Sequence, residues 1–412
     1  MDNATEGIKK NALATVAMVV DNEFYGDARV KNEAKILISK GINVKVLCFS
    51  FGKAPRHEMV DGVEVYRIGI NKKLKDILFG ISNLIPIYHY FWQYIIIRFI
   101  KTHNISAVHA HDLYMARSAG KASRRLNIPL IIDLHENYPE AIMNYKWANS
   151  YPKKLFARPN HWKKLEPKFL AYASKIVTTT KVFAQILSEK HKISFDKFIV
   201  YPNVPDLNEM ENYPIVRNVV PNDDSFYIFY FGGISERRGI YTCIDAIKIL
   251  KKKYSNIYLL LIGPVDKAEE EAFNARISDP EVESKIIYKR WIDISEFPSY
   301  VAASNVCISP IFKSEQHETT IANKIFQYMT FSKPLIVSNC KPQIEVIEEA
   351  NCGLVFESDN AHDLAQKIEQ LYNNRDLCSK LGDNGKRMVI KKYNTTYFGN
   401  RLFDNYQRLL NN

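Results

Sequence analysis

Several common sequence features are scarce or missing in this chain of 412 residues. Its six cysteines form no C-x-x-C pair and follow no secretory signal, so we expect reduced, structural thiols in a cytoplasmic protein. No fixed-period repeat or low-complexity tract is present, which excludes solenoid and largely disordered proteins. The hydrophobic fraction of 46% and the charged fraction of 25% are typical of globular proteins.

A clean membrane span is also missing. Residues 77–100 are strongly apolar, but polar side chains interrupt them and Pro86 would break a helix there, whereas a span needs roughly 20 nearly uninterrupted apolar residues. Lys72, Lys73 and Lys75 precede the segment. It is therefore interpreted either as a long helix packed on its own domain or as a segment that lies on the inner face of an anionic membrane.

Negative charge is in deficit, because 56 lysines and arginines face 45 acidic residues and give a formal net charge of +11. This balance indicates an anionic partner: nucleic acid, an anionic membrane surface or a phosphate-bearing small molecule. Basic residues are spread along the whole chain and no nucleic-acid-binding motif is recognisable, so no nucleic-acid partner is expected.

The sequence does contain a repeated alternation of short apolar runs and amphipathic stretches, the pattern of β-α units that form parallel sheets. A polar, proline-containing break without periodicity separates two such series. The predicted fold is α/β, with two doubly wound, Rossmann-like domains that face a cleft. The predicted boundaries are 1–205 for the first domain, 206–225 for a linker, 226–390 for the second domain and 391–412 for a helix that packs back on the first. The predicted strands are 15–20, 44–49, 107–110, 130–134, 175–179 and 198–201, then 227–231, 257–262, 306–309, 335–338 and 353–356.

The sharpest local pattern is FGGISERRGI, in which a buried strand runs into two glycines, a basic loop and a helix. Gly232 and Gly233 would let a ligand approach the backbone, while Arg237 and Arg238 would stand at a helix N-terminus, which favours anions. The segment predicts a phosphate or pyrophosphate site. The alternative is a glycine turn with two solvated arginines.

A second candidate anion site lies within residues 317–339, where polar residues precede an amphipathic helix. Asn323 and the residues before it would leave uncapped N–H groups at the helix start, with Lys324 nearby and Gln327 one turn later. The alternative is an ordinary capped helix of an α/β domain.

Polar residues also follow two predicted strands of the first domain, in the segments HAHD and DLHENYPE. These residues are His109, His111 and Asp112 in the first segment and Asp133, His135 and Glu136 in the second. His135 could bond a ligand hydroxyl, polarise a leaving group or act as a base, or it could be a structural histidine. The histidine pair of HAHD lacks a third ligand nearby, so no metal site is expected there.

Together these segments resemble the retaining glycosyltransferases of family 4, which have the two-domain GT-B fold. The resemblance covers nearly the whole chain and follows the family's order: DARVKNEAKILISKGINVKVL, HAHD, DLHENYP, YPN, FGGISERRGI, LLLIGP, NKIFQYM and CGLVF. It implies transfer of a sugar from a nucleotide-diphosphate sugar to a glycan or lipid-linked acceptor of bacterial surface-polysaccharide assembly, with retention of configuration.

The resemblance also implies residue roles. Arg238 would neutralise the donor diphosphate, His135 would reach the transferred sugar, and Asp112 and Glu136 would lie on the acceptor side. The implied donor-binding residues are Gly26, Gly232, Gly233, Arg237, Gly263, Pro264, Arg290, Trp291, Ile292, Glu318, Ile321, Ala322, Asn323, Lys324 and Gln327, with Trp291 a wall of the nucleobase pocket.

Four positions depart from the family's pattern, and one of them, Ser332, stands where a glycine often caps the helix. Gly233 stands where many relatives have an arginine, Gln327 replaces a glutamate that binds the donor ribose, and Thr319 replaces the glutamate eight positions earlier. An amide still bonds a hydroxyl, Arg237 could replace the missing arginine, and Glu318 or Glu315 could replace the missing glutamate. A nucleotide-sugar-binding or partner subunit without turnover is therefore an alternative. A sugar-nucleotide 2-epimerase of the same fold is another.

One more absence bears on catalysis. No two aspartates are separated by a single residue, the arrangement with which many sugar-nucleotide enzymes hold a divalent ion against the diphosphate. We therefore expect no metal and no other cofactor, with arginine, lysine and helix ends taking up the charge of the leaving group instead.

Overall fold

The computed structural model describes residues 14–52, 54–144, 158–221 and 224–411. The chain divides into two compact units that alternate along the sequence. Unit 1 comprises the residues up to Val177, Asp196–Ile199 and the residues from Gly399 onward, and unit 2 comprises Thr178–Phe195 and Val200–Phe398.

The strands and helices follow one another in a repeated β-α order. The strands are β1 Thr15–Val19, β2 Asn43–Ser50, β3 His57–Val60, β4 Val63–Gly69, β5 Ala107–His111, β6 Leu130–Leu134, β7 Lys175–Thr178, β8 Phe198–Val200, β9 Phe226–Phe231, β10 Ile257–Ile262, β11 Ile286–Lys289, β12 Val306–Ser309, β13 Leu335–Ser338 and β14 Gly353–Phe356. The helices are α1 Ala28–Ser39, α2 Lys72–Ile81, α3 Ile87–His103, α4 Leu113–Leu126, α5 Tyr138–Asn144, α6 Pro159–Leu170, α7 Lys181–His191, α8 Leu207–Glu211, α9 Ile240–Lys251, α10 Glu270–Ile277, α11 Phe297–Ala303, α12 Lys324–Thr330, α13 Lys341–Ala350, α14 Ala361–Tyr372, α15 Arg375–Lys391 and α16 Thr395–Leu410.

The first sheet has eight strands in the order β3-β4-β2-β1-β5-β6-β7-β8. β1, β2, β4, β5 and β6 pair in parallel, and β3 is antiparallel to β4 at the edge. β5 and β6 are buried along their whole length, as expected of strands covered on both faces. Their carboxyl ends carry HAHD and DLHENYPE, so this sheet positions the polar edge of unit 1.

The second sheet has six parallel strands in the order β11-β10-β9-β12-β13-β14. Its core is aliphatic and aromatic, with Phe226, Ile228 and Tyr230 of β9 packed against α9 and β10. The loops after β9 and β10 carry FGGISERRGI and the end of LLLIGP, so both motifs lie at one edge of this sheet. The predicted two-domain α/β fold is confirmed in its architecture.

Residues 77–100 do not form the single long helix that was one interpretation of them. α2 ends at Ile81, and α3 starts after Pro86, whose fixed φ of −78° suits a helix start but not its interior. Within the described residues, no helix combines the length and the apolar character needed to cross a membrane. The predicted linker likewise contains a short helix, α8, because Asp206 caps it through the N–H of Asn208.

Candidate active site

In unit 1, two neighbouring strand ends bring polar side chains together. The register of β5 and β6 pairs His111 with Asp133, and just beyond them the N–H of Asp112 donates to the carbonyl oxygen of Asp133 at 2.8 Å. Nδ1 of His135 lies 3.7 Å from Oδ1 of Asp112, and its Nε2 lies 3.0 Å from Oδ2 of Asp133. The predicted residues Asp112 and His135 therefore share one edge of the sheet.

Asp133 is fully buried and is the centre of this cluster. Nε and Nη2 of Arg29, on α1, donate to its two carboxylate oxygens at 2.7 Å each, and Nδ1 of His111 lies 3.1 Å from Oδ2. Burial opposes the charge of Asp133, but Arg29 and His135 outweigh it and hold the pKa of this carboxyl well below its usual range. Asp133 is therefore a fixed negative charge beneath His135.

His135 is the cation of this edge, and its side chain is 21% exposed. Burial disfavours the imidazolium, but the carboxylates of Asp112 and Asp133 outweigh burial and raise the pKa of His135 to about 9. At neutral pH the ring carries both of its protons. It can donate a hydrogen bond to a sugar or to a leaving group, whereas a general base would have to be neutral.

The sequence argument against a metal at HAHD rested on a missing third ligand, and that premise is wrong. Glu33, His109, His111 and Asp133 can each place one ligand atom within 4.8 Å of the others. A cation is already present, however, because the Arg29 guanidinium lies 3.4 Å from Glu33 and 2.7 Å from Asp133. Burial and the Asp133 charge raise the pKa of Glu33 well above its usual range, and a protonated carboxyl ligates metals poorly.

The two histidines of HAHD are fully buried and neutral, because burial lowers the pKa of each. Nδ1 of His109 lies 2.8 Å from the hydroxyl of Tyr406 on α16. Nε2 of each histidine lacks a hydrogen-bond partner among the described residues. The cluster thus extends from His135 to the last helix of unit 1, and the sequence pattern gave no sign that Glu33, Arg29 or Tyr406 belonged to it.

Asp112 has an unusual backbone conformation, with φ 69° and ψ 148°. This region favours glycine, and other residues there store roughly 1–3 kcal/mol of strain, most often at functional sites. Tyr114 holds the carboxylate through a 2.7 Å hydrogen bond. The other predicted residues of unit 1 lie in loops: Gly26 is exposed between β1 and α1 with φ 77°, and Glu136 is half-buried after β6.

In unit 2, the loops after β9 and β10 cross at two glycines. Gly232 has φ 131° and Gly263 has φ 149°, and a Cβ on Gly263 would collide with the carbonyl oxygen of Gly232. The N–H of Gly232 donates to Ile262 at 2.9 Å, and that of Gly263 donates to Lys289 at 2.9 Å. Only glycine fits the Gly263 position, because its conformation and the neighbouring backbone both exclude a side chain.

Next to this crossing lies a cavity of about 310 Å³. Six predicted residues line it: Gly232, Gly263, Pro264, Arg290, Trp291 and Ile292. Its other lining residues were not predicted; they are Phe231, Ile262, Asp293 and Ile294. Trp291 is 73% exposed, and Arg290 donates to Glu270 at 2.6 Å. Apolar side chains beside the backbone of the half-buried Gly232 and the buried Gly263 suit a flat ring with polar edges.

Lys324, the first residue of α12, is buried beside the glycine crossing. Its Nζ lies 3.6 Å from the centre of the Tyr230 ring, and a Cβ on Gly232 would lie 3.0 Å from it. Burial and the nearby charge of Arg238 lower the pKa of Lys324 well below its usual range. Within the described ranges, neither Lys324 nor Arg238 forms an ion pair with a carboxylate, so this edge has a local excess of positive charge.

The two predicted anion-binding helix ends differ in the structure. Arg237 and Arg238 lie in a 3-10 turn, and α9 begins only after Gly239, which has φ 73°. No side chain caps α9, so its first N–H groups remain available to a ligand. The second helix, α12, has only seven residues and also no side-chain cap. α12 would therefore contribute to anion binding mainly through the side chain of Lys324, and less through a helix dipole.

Residues around the two missing glutamates have other contacts. The hydroxyl of Thr319 donates to the carbonyl oxygen of Gln316 at 2.8 Å, and Glu318 accepts from the N–H of Lys341 at 3.3 Å. Gln327 is half-buried on α12. The remaining predicted residues of this segment, Ile321, Ala322 and Asn323, precede α12, and Gly233 is exposed in the β9–α9 loop. Thr319 has no carboxylate to offer, and one carboxylate oxygen of Glu318 already accepts from Lys341.

His317 belongs to this edge, although the sequence analysis did not select it. Burial lowers the pKa of His317 to about 4, with Arg238 and Arg237 adding to the effect, so the ring is neutral. Its Nδ1 donates to the carbonyl oxygen of Phe312 at 2.6 Å. A single histidine in a polar loop gives no signal of this kind in a sequence.

Two family models match the chain. The model described as Glycosyltransferase Family 4 matches residues 28–209, and the model described as Glycosyl transferases group 1 matches residues 214–388. The chain belongs to the family 4 glycosyltransferases. The two matched regions of this glycosyltransferase follow each other along the chain, as the order of the sequence motifs predicts.

Named relatives of this glycosyltransferase include enzymes of bacterial surface polymers. A capsular polysaccharide biosynthesis glycosyltransferase, CapM of Staphylococcus aureus, is 25% identical, and the match covers 58% of this chain and 58% of CapM. The alpha-D-kanosaminyltransferase of Streptomyces kanamyceticus is 19% identical over 70% of this chain and 72% of its own. At 58%, the match to this chain spans less than two thirds of the length of CapM.

Solved structures share the fold of this glycosyltransferase. Sucrose-phosphate synthase of Thermosynechococcus elongatus has a TM-score of 0.74 at 15% identity, covering 97% of this chain and 99% of that chain. A glycosyltransferase of Rickettsia africae has a TM-score of 0.74 at 20% identity with the same coverage. HepE of Anabaena, in complex with UDP-glucose, has a TM-score of 0.68 at 12% identity, covering 96% and 99%.

Proposed function

We propose that this chain transfers a glycosyl group from a nucleoside diphosphate sugar to a glycan or a lipid-linked acceptor, with retention of configuration and without a metal. Family membership supports the reaction class. The name of the capsular relative supports an acceptor of bacterial surface-polysaccharide assembly, and the UDP-glucose in the Anabaena structure supports the donor class. The proposed residue roles concern the donor site in unit 2 and His135 in unit 1.

One observation carries the proposal: the amine of Lys324 is buried next to the cavity edge at Gly232, and no carboxylate among the described residues pairs with it. A buried charge is stable only when it is paired or when its pKa shifts. The lowered pKa of Lys324 supports a site in which the described part of the protein leaves this charge uncompensated. A diphosphate supplies the missing negative charge, and its binding restores the charged form of Lys324.

In this proposal Lys324 supplies the positive charge that is missing at the position of Gly233. Gly233 stands where many relatives of the resembled family have an arginine, so one cation of that pair is missing unless Arg237 replaces it. Lys324 adds the second cation from α12, and Gly232 leaves the room that its side chain occupies. The first N–H groups of α9 add further donors.

The proposed reaction has two parts, binding of the donor and transfer of its sugar. The base occupies the cavity between Trp291 and the glycine crossing, and the diphosphate lies at Lys324 and Arg238. The bond from the anomeric carbon to the diphosphate breaks, the bond to the acceptor oxygen forms, and the acceptor proton goes to the leaving diphosphate. Preorganised cations stabilise the charge that develops on that group. The imidazolium of His135 donates a hydrogen bond to the sugar.

The first prediction concerns Lys324→Met, which keeps the length of the side chain but removes its charge. We expect the affinity for UDP or another nucleoside diphosphate to fall about 10- to 100-fold, since a charge-assisted hydrogen bond contributes roughly 1.5–3 kcal/mol. Titration calorimetry of the full chain, in EDTA and again with Mg²⁺, measures this loss. Lys367→Met on the surface of α14 is the matched control and should bind like the unaltered chain.

The same preparation decides between the alternatives. Release of free sugar from the donor, or its transfer to an acceptor, supports the transferase. Binding without any turnover indicates a nucleotide-sugar-binding subunit, and formation of a free epimer without acceptor indicates the 2-epimerase. If binding appears only with Mg²⁺, the metal-independent mechanism is wrong.

Peripheral contact with the inner face of an anionic membrane is part of the proposed function, because a lipid-linked acceptor is membrane-bound. The basic composition of the chain supports it.

A further inference from the structure

Exposed apolar side chains are concentrated in one short segment of unit 1. Sixteen large hydrophobic side chains are exposed in the described part of the chain, and seven of them fall within residues 74–94. These seven are Leu74, Ile77, Leu84, Ile85, Ile87, Tyr90 and Tyr94, which are 49% to 61% exposed. Single exposed hydrophobic residues are ordinary, but a cluster of this kind marks a binding surface.

α2 contributes an amphipathic helix that packs little against its own unit. Apolar residues stand at Leu74, Ile77, Leu78 and Ile81, the spacing that forms one face of a helix, yet none of its ten residues is buried. Asn71 caps the helix through the N–H groups of Lys73 and Leu74. Asn71 therefore fixes the start of the helix, and none of the residues that the structure describes buries its apolar face.

The connection to α3 continues the exposed surface. Leu84 and Ile85 form its tip, and their N–H groups both donate to the carbonyl oxygen of Ile81, so the turn is fixed. α3 is anchored by its other face, where Tyr88 and Trp92 are fully buried. The apolar tip thus stands on a rigid helix.

The surroundings of the tip are basic. Lys72 and Lys73 are exposed on α2, and residues 72–103 contain five lysines or arginines but a single acidic residue, Asp76. Nζ of Lys121, on α4, lies 5.4 Å from the centre of the Tyr90 ring, and Arg98 lies 5.8 Å from that of Tyr94. Basic side chains therefore flank both exposed tyrosines.

We propose that this surface, α2 with residues 84–94, docks on the anionic leaflet of a membrane. Leu84, Ile85 and Ile87 would enter the interface between head groups and acyl chains, the tyrosines would lie at head-group level, and the lysines would meet anionic phosphates. The inference deepens the proposed function, on which its connection to a lipid-linked acceptor rests.

A second copy of this chain fits the surface less well than a lipid does. A symmetric dimer through this face would place the same patch opposite itself. Lys72 and Lys73 of one copy would then approach the basic residues of the other, and only Asp76 could offset them. An anionic bilayer provides apolar depth and the opposite charge together.

The test is co-sedimentation of the full chain with vesicles of phosphatidylcholine, with and without about one third phosphatidylglycerol. We expect binding to the anionic vesicles only. The double variant Leu84→Asp, Ile85→Asp should lower partitioning at least tenfold, and Lys72→Gln, Lys73→Gln should lower it about fivefold per lysine. Ile390→Asp is the matched control, because Ile390 is 58% exposed in unit 2 and should have no effect.

Three outcomes would overturn the inference: equal binding to neutral vesicles, unchanged binding of the Leu84→Asp, Ile85→Asp variant, or a dimer in sedimentation equilibrium that this variant abolishes. The melting shift with UDP is measured on the same preparations. A loss of vesicle binding with an intact UDP shift keeps the donor site separate from the membrane surface, so failure of either proposal can be distinguished from failure of the other.

Discussion

At the scale of single residues, the charge of His135 depends on two carboxylates that differ in burial. Asp133 is inaccessible and paired with Arg29, whereas Asp112 is partly exposed. The pair keeps the ring protonated at neutral pH, and the strained backbone of Asp112 is compatible with this arrangement because Tyr114 holds the carboxylate in place.

A second prediction therefore concerns pH. The pKa of His135 in the folded chain is about 9, above the unfolded value near 6.5. Its contribution to stability is fully present below about pH 6.5 and is lost as the pH rises through 9. We expect the melting temperature of the unaltered chain to fall over this interval, and that of His135→Gln to fall less. Scanning calorimetry from pH 6 to 9.5 measures the difference, and parallel curves would show that His135 does not titrate as stated.

The residues that sequence reasoning could find at this site were those at strand ends. HAHD and DLHENYPE follow apolar runs, so their meeting at one sheet edge could be expected. Arg29 and Glu33 could not be found in the same way. They lie one turn apart on the buried face of α1, and nothing in their local pattern shows that this face meets Asp133, a residue 104 positions away from Arg29.

At the scale of elements, strands that form short apolar runs were predicted closely, whether they are fully buried like β6 and β12 or partly buried like β14. β6, β10, β12, β13 and β14 have the predicted limits. β3, β4 and β11 were missed. They lie at or next to sheet edges, and the burial of β4 alternates along the strand. For this reason they lack the continuous apolar run by which the other strands were predicted.

The crossing of the β9 and β10 loops leads to a third prediction. Gly263→Ala should destabilise unit 2 by about 3 kcal/mol or more, since a positive φ and a collision with the Gly232 carbonyl act together. Nucleotide affinity should fall as well, because the displaced backbone lines the cavity. Urea unfolding and calorimetry measure the two effects.

Gly233→Ala is the control for this crossing. It lies one residue away, has no atom within 4 Å of its Cβ position and has no positive φ. We expect Gly233→Ala to change the free energy of unfolding by less than about 0.5 kcal/mol, which is the usual size of the effect of a surface substitution. Equal effects of the two variants would mean that the crossing does not constrain the backbone.

At the scale of the whole molecule, two units with separate cores suggest two cooperative transitions. The fourth prediction is that calorimetry resolves two melting events and that UDP raises only the one belonging to unit 2. A ligand that binds only the native state stabilises the unit that holds it, by about 2.7 kcal/mol at a concentration 100 times its Kd. An equal rise of both transitions would contradict placement of the donor site in unit 2 alone.

α16 has a consequence for how this chain is made. The residues from Gly399 onward count with unit 1, and the hydroxyl of Tyr406 reaches His109. A ribosome delivers these residues only after all of unit 2 has been synthesised. Unit 2 can therefore complete its core during translation, whereas unit 1 must wait, with His109 of β5 still lacking the Tyr406 hydroxyl. A premature stop codon between Gly399 and Tyr406 would thus remove a buried contact from the half of the protein that was synthesised first.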